Sequence, residues 1–389
     1  MPKHLHYKAL YRTQDHSLGI TSVAFSSAGT LLATAGLDGR VCIWEVKSHK
    51  LLHIYTSNTP VISLTWIKNG EDSVVLGYED GNVATLSITP NTLNLAGFCA
   101  HDYATEIIAN EGALVATAAR DQVRVWEWHP LAPWPLVIAL AGPTRTSENL
   151  STEILVVSLH WTSWGDHAAV LVVCYQNHGI QMYESVNWTL VHSVQIRDPI
   201  ARTDLSPDGQ YIALYNLSKG IEVRRVSNGN LRCAFPLDAN EKRLLPVLFI
   251  HGGDALVAGT TNGVVSLWHL ETSQKIQDLR HDRQEKVLAL AGHYDNDQDQ
   301  FVIVTGTYGC RGYATLRWWL AVEKTHEDDD LGQPPASSGV STQILDWWKT
   351  YTVSVGIAVI VTLLAFALDI ISLGESEQQR IMGGNDMYV

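Results

Sequence analysis

A chain of 389 residues has room for two or three ordinary domains or for one large all-β domain, so length decides nothing by itself. Charge decides more: 27 Lys and Arg against 40 Asp and Glu leave a net −13, and no basic run is long enough to follow a phosphate backbone, which argues against nucleic acid as a partner. Five scattered cysteines, none at C-x-x-C spacing, suit small hydrophobes in a reducing compartment better than a disulfide or zinc framework.

The first residues, "MPKHLHYKALYRTQD", lack the apolar region of a secretory signal, so nothing there is expected to send the bulk of the chain across a membrane. Within them "HYKALYRT" (6–13) reads as a strand with no partner nearby. From residue 20 one unit recurs at a period of about 40 to 50 residues, the spacing of propeller blades. Its clearest copy, "ITSVAFSSAGTLLATAGLDGRVCIWEV" (20–46), reads as three short strands separated by turns at "SAG" and "LDG". The third strand recurs at 82–88, 122–128, 180–185, 221–226, 264–270 and 314–320, which makes seven copies. Each unit ends in an outer strand such as "LLHIYTS". The expected fold is therefore all-β, a seven-bladed β-propeller over residues 1–322, although the period alone also admits six or eight blades. The orphan strand 6–13 belongs on the outer edge of the last blade, where it closes the ring and removes an open sheet edge.

The segments "FSSAG", "LSPDGQYIAL", "LDGRVCIWE", "QVRVWEW" and "NGVVSLWHL" resemble the WD40-repeat (WD-repeat) family of β-propellers, over about residues 5 to 322. The pattern is diverged. Trp44 and Trp126 are followed by Glu and Trp268 by His, never by Asp, while Leu86, Tyr183 and Arg224 stand where the Trp would be. The resemblance implies a structural network in which His16 links Asp38 to Thr34 and the Trp44 indole. It implies a second set in His101, Thr117, Asp121 and Trp126, with the last spacing one residue shorter. In the sixth unit Asn262 takes the Asp position, and no preceding His is apparent.

Chemistry is otherwise sparse. None of the 16 His falls at metal-ligand spacing, and G-x-S-x-G, P-loop, H-E-x-x-H and G-x-G-x-x-G motifs are absent, so no catalytic residue, metal or cofactor is expected. Asp297 and Asp299 read as a solvated turn in preference to a calcium loop. The sequons at Asn149, Asn187 and Asn216 read as chance. The connection 129–153 is longer than its equivalents, and long loops on a rigid scaffold are favoured places for binding. Arg145 and Asn149 there, Lys242 and Arg243 in "DANEKR", and His281 and Arg283 in "RHDRQE" would share one face as a partner-binding rim, the plain alternative being solvated loops.

After the last unit, residues 323–346 are acidic and rich in Pro, Gly and Ser, a flexible tether reaching on the order of 25 Å. Trp347, Trp348, Lys349 and Tyr351 then have the character of a membrane interface. Residues 352–373 are apolar except for Asp369, and as a helix would cross about 30 Å of hydrocarbon. With 374–389 as a short tail, the expectation is a tail anchor with the propeller in the cytosol, most simply on the endoplasmic reticulum. The expected function is a membrane-anchored scaffold for other, unidentified proteins. An alternative comes from architecture: a WD-like propeller before one membrane span is similar to the guanine nucleotide exchange factor of the Sar-type small GTPase in COPII budding, which would make that GTPase the partner.

Overall fold

Short runs of alternating β-branched and aromatic residues, cut every few positions by Gly, Asp and Ser, fold into hairpins and not into one long sheet. The computed structural model describes residues 5–68, 70–145, 149–236, 245–260, 262–282, 285–296, 298–309 and 313–323. Among these residues 28 strands form seven four-stranded sheets. Blade one consists of Ile20–Phe25, Leu31–Gly36, Arg40–Glu45 and Lys50–Thr56, in that order and antiparallel throughout. Blades two to six repeat the order, with first strands Val61–Trp66, Ile107–Glu111, Val156–Trp164, Ile200–Leu205 and Val247–Ile250.

Blade seven joins the two ends of the ring. Glu285–Asp295, Gln300–Gly309 and Leu316–Glu323 are completed by Leu5–Thr13, paired from Leu5↔Glu323 to Thr13↔Leu316. The seven-bladed all-β expectation and the closing role of residues 6–13 both hold. The third strand of this blade begins at Leu316 and not at residue 314, because Thr315 is diverted into a local exchange with Thr307, its N–H reaching Thr307 Oγ1 at 3.0 Å.

First strands line the ring's axis, and several are bonded to the neighbouring blade across the blade boundary. Thr21 Oγ1 donates to Val61 O at 2.6 Å and Ser63 Oγ to Thr105 O at 2.7 Å. Between neighbouring blades lie apolar layers. Ile20, Trp44 and Trp318 join blades one and seven, and Phe235, Phe249 and Trp268 join blades five and six. Each sheet thus has both faces covered and buries them only because the ring closes.

Antiparallel order also sorts the loops. One face of the ring carries the blade-to-blade connections and the turns between second and third strands; the other carries the first-to-second and third-to-fourth turns. Crowding on the connection face explains its glycines: Gly39 has φ +72°, and a Cβ there would lie 2.3 Å from Ser57 O in the strand-exit it packs against. Glu323, paired with Leu5, ends its strand on the opposite face, so the chain leaves the ring there.

The chain divides into compact units Met1–Thr325 and His326–Val389, of which the ring is the first. Among the described residues no helix is long and apolar enough to cross a membrane. The tether, Trp347, Trp348, Lys349, Tyr351 and the apolar span 352–373 lie outside the described residues.

Candidate partner-binding surfaces and the polar networks behind them

Three buried networks hold the connections to the blades. In blade one His16 Nδ1 lies 3.1 Å from Asp38 Oδ1 and His16 Nε2 lies 2.8 Å from Thr34 Oγ1, which accepts the Trp44 indole N–H at 3.3 Å. A carboxylate can only accept, so Nδ1 carries the proton, Nε2 receives the Thr34 hydroxyl, and no side-chain polar atom of the set is left unpaired. Burial alone would raise the Asp38 pKa, but hydrogen bonds from His16 and from the Ser17 and Arg40 N–H groups outweigh it and bring it to about 2. The predicted set is therefore present as drawn.

Blade three departs from its prediction in one member. His101 Nε2 meets Thr117 Oγ1 at 2.8 Å and Trp126 donates to the same oxygen at 2.9 Å, but His101 Nδ1 faces Gln122 Oε1 at 3.1 Å. Asp121 is exposed and outside the network. The reason is the shorter turn: Ala119 pairs directly with Gln122, leaving Arg120, at φ 53°, and Asp121 as the two-residue tip. An amide oxygen then does the work of the carboxylate.

Blade seven holds a third set that the sequence reading assigned elsewhere. His281, 6% exposed, bonds Thr305 Oγ1 at 2.7 Å, Trp319 donates to that oxygen at 3.0 Å, and His281 Nδ1 lies 3.3 Å from Glu285 Oε2. Burial lowers the His281 pKa, with Glu285 pulling the other way. His281 is therefore a structural residue and not part of a rim. The register explains which blades have such a hub. The Trp faces Leu32, Val115 and Ile303 across the sheet, and the threonine stands two residues later; behind Trp268 the same place holds Ala258. Trp268 instead packs on Phe235, with ring centroids 5.2 Å apart.

The rest of the predicted rim is only partly in view. Arg145 is exposed and donates to Leu150 O at 3.3 Å, within its own loop. Asn149 is 8% exposed and accepts the Thr152 N–H at its carbonyl, so its side chain is tucked under the loop instead of being offered to a partner. Asn216 is also buried, which leaves Asn187 as the one exposed sequon asparagine. Lys242, Arg243, Arg283 and Asp297 lie outside the described residues; Asp299 accepts from Tyr294 in the blade-seven hairpin. Among the described residues no three His, Cys, Asp or Glu gather closely enough for a metal.

A larger opening lies on the face opposite the predicted rim. It measures about 710 Å³ and runs across the ends of the first strands of blades two to five. Lys68, Glu111, Trp161 and Asp208 are among its walls. Neighbouring blades fasten each other around it: Lys68 Nζ sits 2.6 Å from Glu111, Lys68 N–H donates to Asn110 Oδ1 at 2.6 Å, and Trp161 donates to Ala109 O at 3.3 Å. Each first strand pairs within its sheet on one side only, and neighbouring blades take part of its inner edge, Ala109 O by Trp161 and the Phe249 N–H by Asp204. A smaller recess of about 440 Å³ opens on the connection face beside Asp121, Arg124 and Pro143.

Residues 7–45, which supply the closing strand and the first three strands of blade one, match the family model "WD domain, G-beta repeat". The chain folds as a seven-bladed β-propeller whose first blade carries a WD repeat. A stretch of 48 residues, 12% of this chain, is 38% identical to the WD repeat-containing protein SL1-17 of Schistosoma mansoni and covers 16% of it. Another of 128 residues, 32% of the chain, is 26% identical to pre-mRNA-processing factor 19 homolog 2 of Arabidopsis thaliana and covers 24% of it. A third, of 52 residues and 13% of the chain, is 38% identical to the pre-rRNA-processing protein pro-1 of Caenorhabditis briggsae and covers 10% of it. The chain thus spans less than a quarter of each of these relatives, and the likeness is one of repeats.

Proposed function

We propose that this propeller is a non-catalytic platform that binds other proteins and is held at a membrane by residues 352–373. The observation that carries the binding half is the opening of about 710 Å³ whose walls come from four successive blades. Its breadth suits an extended polypeptide whose side chains meet Trp161, Lys68 and Asp208. The membrane half is supported by composition: an apolar run with aromatic and lysine flanks, joined to the ring by an acidic tether. A cytosolic ring on the endoplasmic reticulum fits the free, buried thiols of Cys42 and Cys174 and the burial of two of the three sequon asparagines. The exchange-factor reading rests on the order of ring and span alone, and no blade feature adds to it.

The test is affinity capture with the full-length chain, in parallel with Trp161→Glu, which places a charge on the wall of the opening. Loss of a reproducible set of captured proteins in the variant, with its melting temperature unchanged, is the expected result. An identical set would remove this opening from the function, and no captured set at all would end the platform reading.

A further inference from the structure

Blade five carries an arginine whose situation differs from that of its peers. On its first strand, Thr203 turns toward blade four, where its hydroxyl meets His160 Nε2 at 2.8 Å and its N–H donates to Ser158 Oγ at 3.0 Å. Asp204 turns toward blade six and accepts the Phe249 N–H at 2.7 Å. Arg202, next to them, is half-buried, yet its guanidinium makes no hydrogen bond, ion pair or ring contact among the described residues. The other half-buried arginines each have an acceptor: Arg40 donates to Asp15 O, Arg124 to Ala100 O, Arg224 to Gly229 O and Arg317 to Arg280 O. Burial lowers the Arg202 pKa, and the carboxylate whose field reaches it is that of Glu106, exposed on the connection between blades two and three.

We propose that the ring's central channel is a subsite for a carboxylate, with Arg202 as counter-charge, into which a partner protein inserts an acidic side chain. The inference rests on the protein-binding reading above and adds a ligand chemistry to it. A half-buried guanidinium with no hydrogen-bonded acceptor is incompletely satisfied until an oxyanion reaches it, and its planar fork matches a carboxylate with two parallel N–H···O bonds. Arg202 is the third residue of its strand counted from the connection face, and Glu106 lies on that face too, so the side chain enters there. A single guanidinium balances a single negative charge, which favours a carboxylate over a phosphate dianion. The chain's net charge of −13 repels acidic ligands in general, so affinity for one has to come from a local site.

The experiment is fluorescence anisotropy with the full-length chain in nonionic detergent and a labelled peptide of alternating Gly and Glu. Peptides with Gln, Lys or phosphoserine in place of Glu, and inorganic phosphate as competitor, form the other arms. The Glu peptide is expected to bind and the Gln and Lys peptides not to bind. Arg202→Gln should weaken binding about tenfold or more, the loss expected for a charge-assisted pair. Glu106→Gln, at an exposed position, should strengthen it by removing a like charge, and this arm decides the matter if Arg202→Gln does not fold. Equal binding of the Gln peptide, or no change in either variant, would overturn the subsite. Tighter binding of the phosphoserine peptide, or displacement by phosphate at concentrations that spare nothing else, would overturn the carboxylate assignment. Should wild type and Arg202→Gln capture the same proteins from cells, the channel loses its role while the platform stands; should wild type capture none, the platform itself fails.

Discussion

Thr34, Thr117 and Thr305 each take an indole N–H and a histidine nitrogen on one hydroxyl, so replacing any of them by Val, close in shape, strands two buried polar groups. Each substitution should cost about 2 to 4 kcal/mol in urea unfolding. Ala258→Thr, at the equivalent place behind Trp268, should give no such gain because no histidine waits there. A second residue-scale prediction concerns Asp204, whose pKa burial raises to about 7. An acid with a raised folded pKa stabilises fully below its unfolded value and loses that contribution as pH climbs through the folded one. Asp204→Asn, which keeps an oxygen for the Phe249 N–H, should therefore be more stable than wild type at pH 8, with the advantage shrinking below pH 7 and gone only below the ordinary aspartate value of 3.8; equal pH profiles in urea melts would show that Asp204 ionises normally. The first network was legible because "LDG" forms an ordinary turn with its Asp beneath His16. Blade three hid its partner in a shortened turn, where spacing pointed to Asp121 and geometry selects Gln122. Blade seven hid a whole set because its long hairpin puts His281 far from Thr305 in sequence and its acid, Glu285, sits on the first strand and not in a turn.

The strand Leu5–Thr13 is the element on which closure depends. It pairs along the third strand of blade seven, Tyr7 is 2% exposed, and its ring reaches His251 Nε2 at 2.7 Å while its N–H donates to Gln277 Oε1 at 2.7 Å, both in blade six. Deleting residues 1–13 would bare the Leu316–Glu323 edge and unseat these contacts together. The deletion is expected to replace one cooperative melting transition by a broad one at lower temperature and to produce self-association on gel filtration. A sharp, unshifted transition and a monomeric elution would mean that blade seven is complete without this strand. Its role was readable from sequence because it was a strand with no blade to finish. The lengths of Val156–Trp164 and Glu285–Asp295 were not readable, since no Gly or Pro interrupts the first and Gly292 in the second marks no turn but stays paired with Ile303.

At the scale of the whole molecule, seven blades could be counted from a repeat, but the broad opening could not. Lys68, Asn110, Trp161 and Asp208 lie a blade or so apart in sequence and meet only because the ring brings strand ends together, and of them Asp208 alone stands in a repeat motif, the turn of "LSPDGQYIAL". The proposed membrane attachment has the reverse character: its support is composition in residues 352–373 and nothing in the ring. The physical argument is short. The ring buries its apolar layers between blades and presents a net negative, water-compatible surface, so it needs no lipid. The run 352–373, with Asp369 as its one charge, has enough apolar surface to partition into a bilayer when helical. Full-length protein should accordingly stay with membranes after alkaline carbonate washing, and a chain stopped at residue 342, which retains the unit Met1–Thr325, should move to the supernatant with its melting temperature unchanged. Full-length protein that washes freely from membranes, with the apolar run protected from protease against the blades, would refute the attachment.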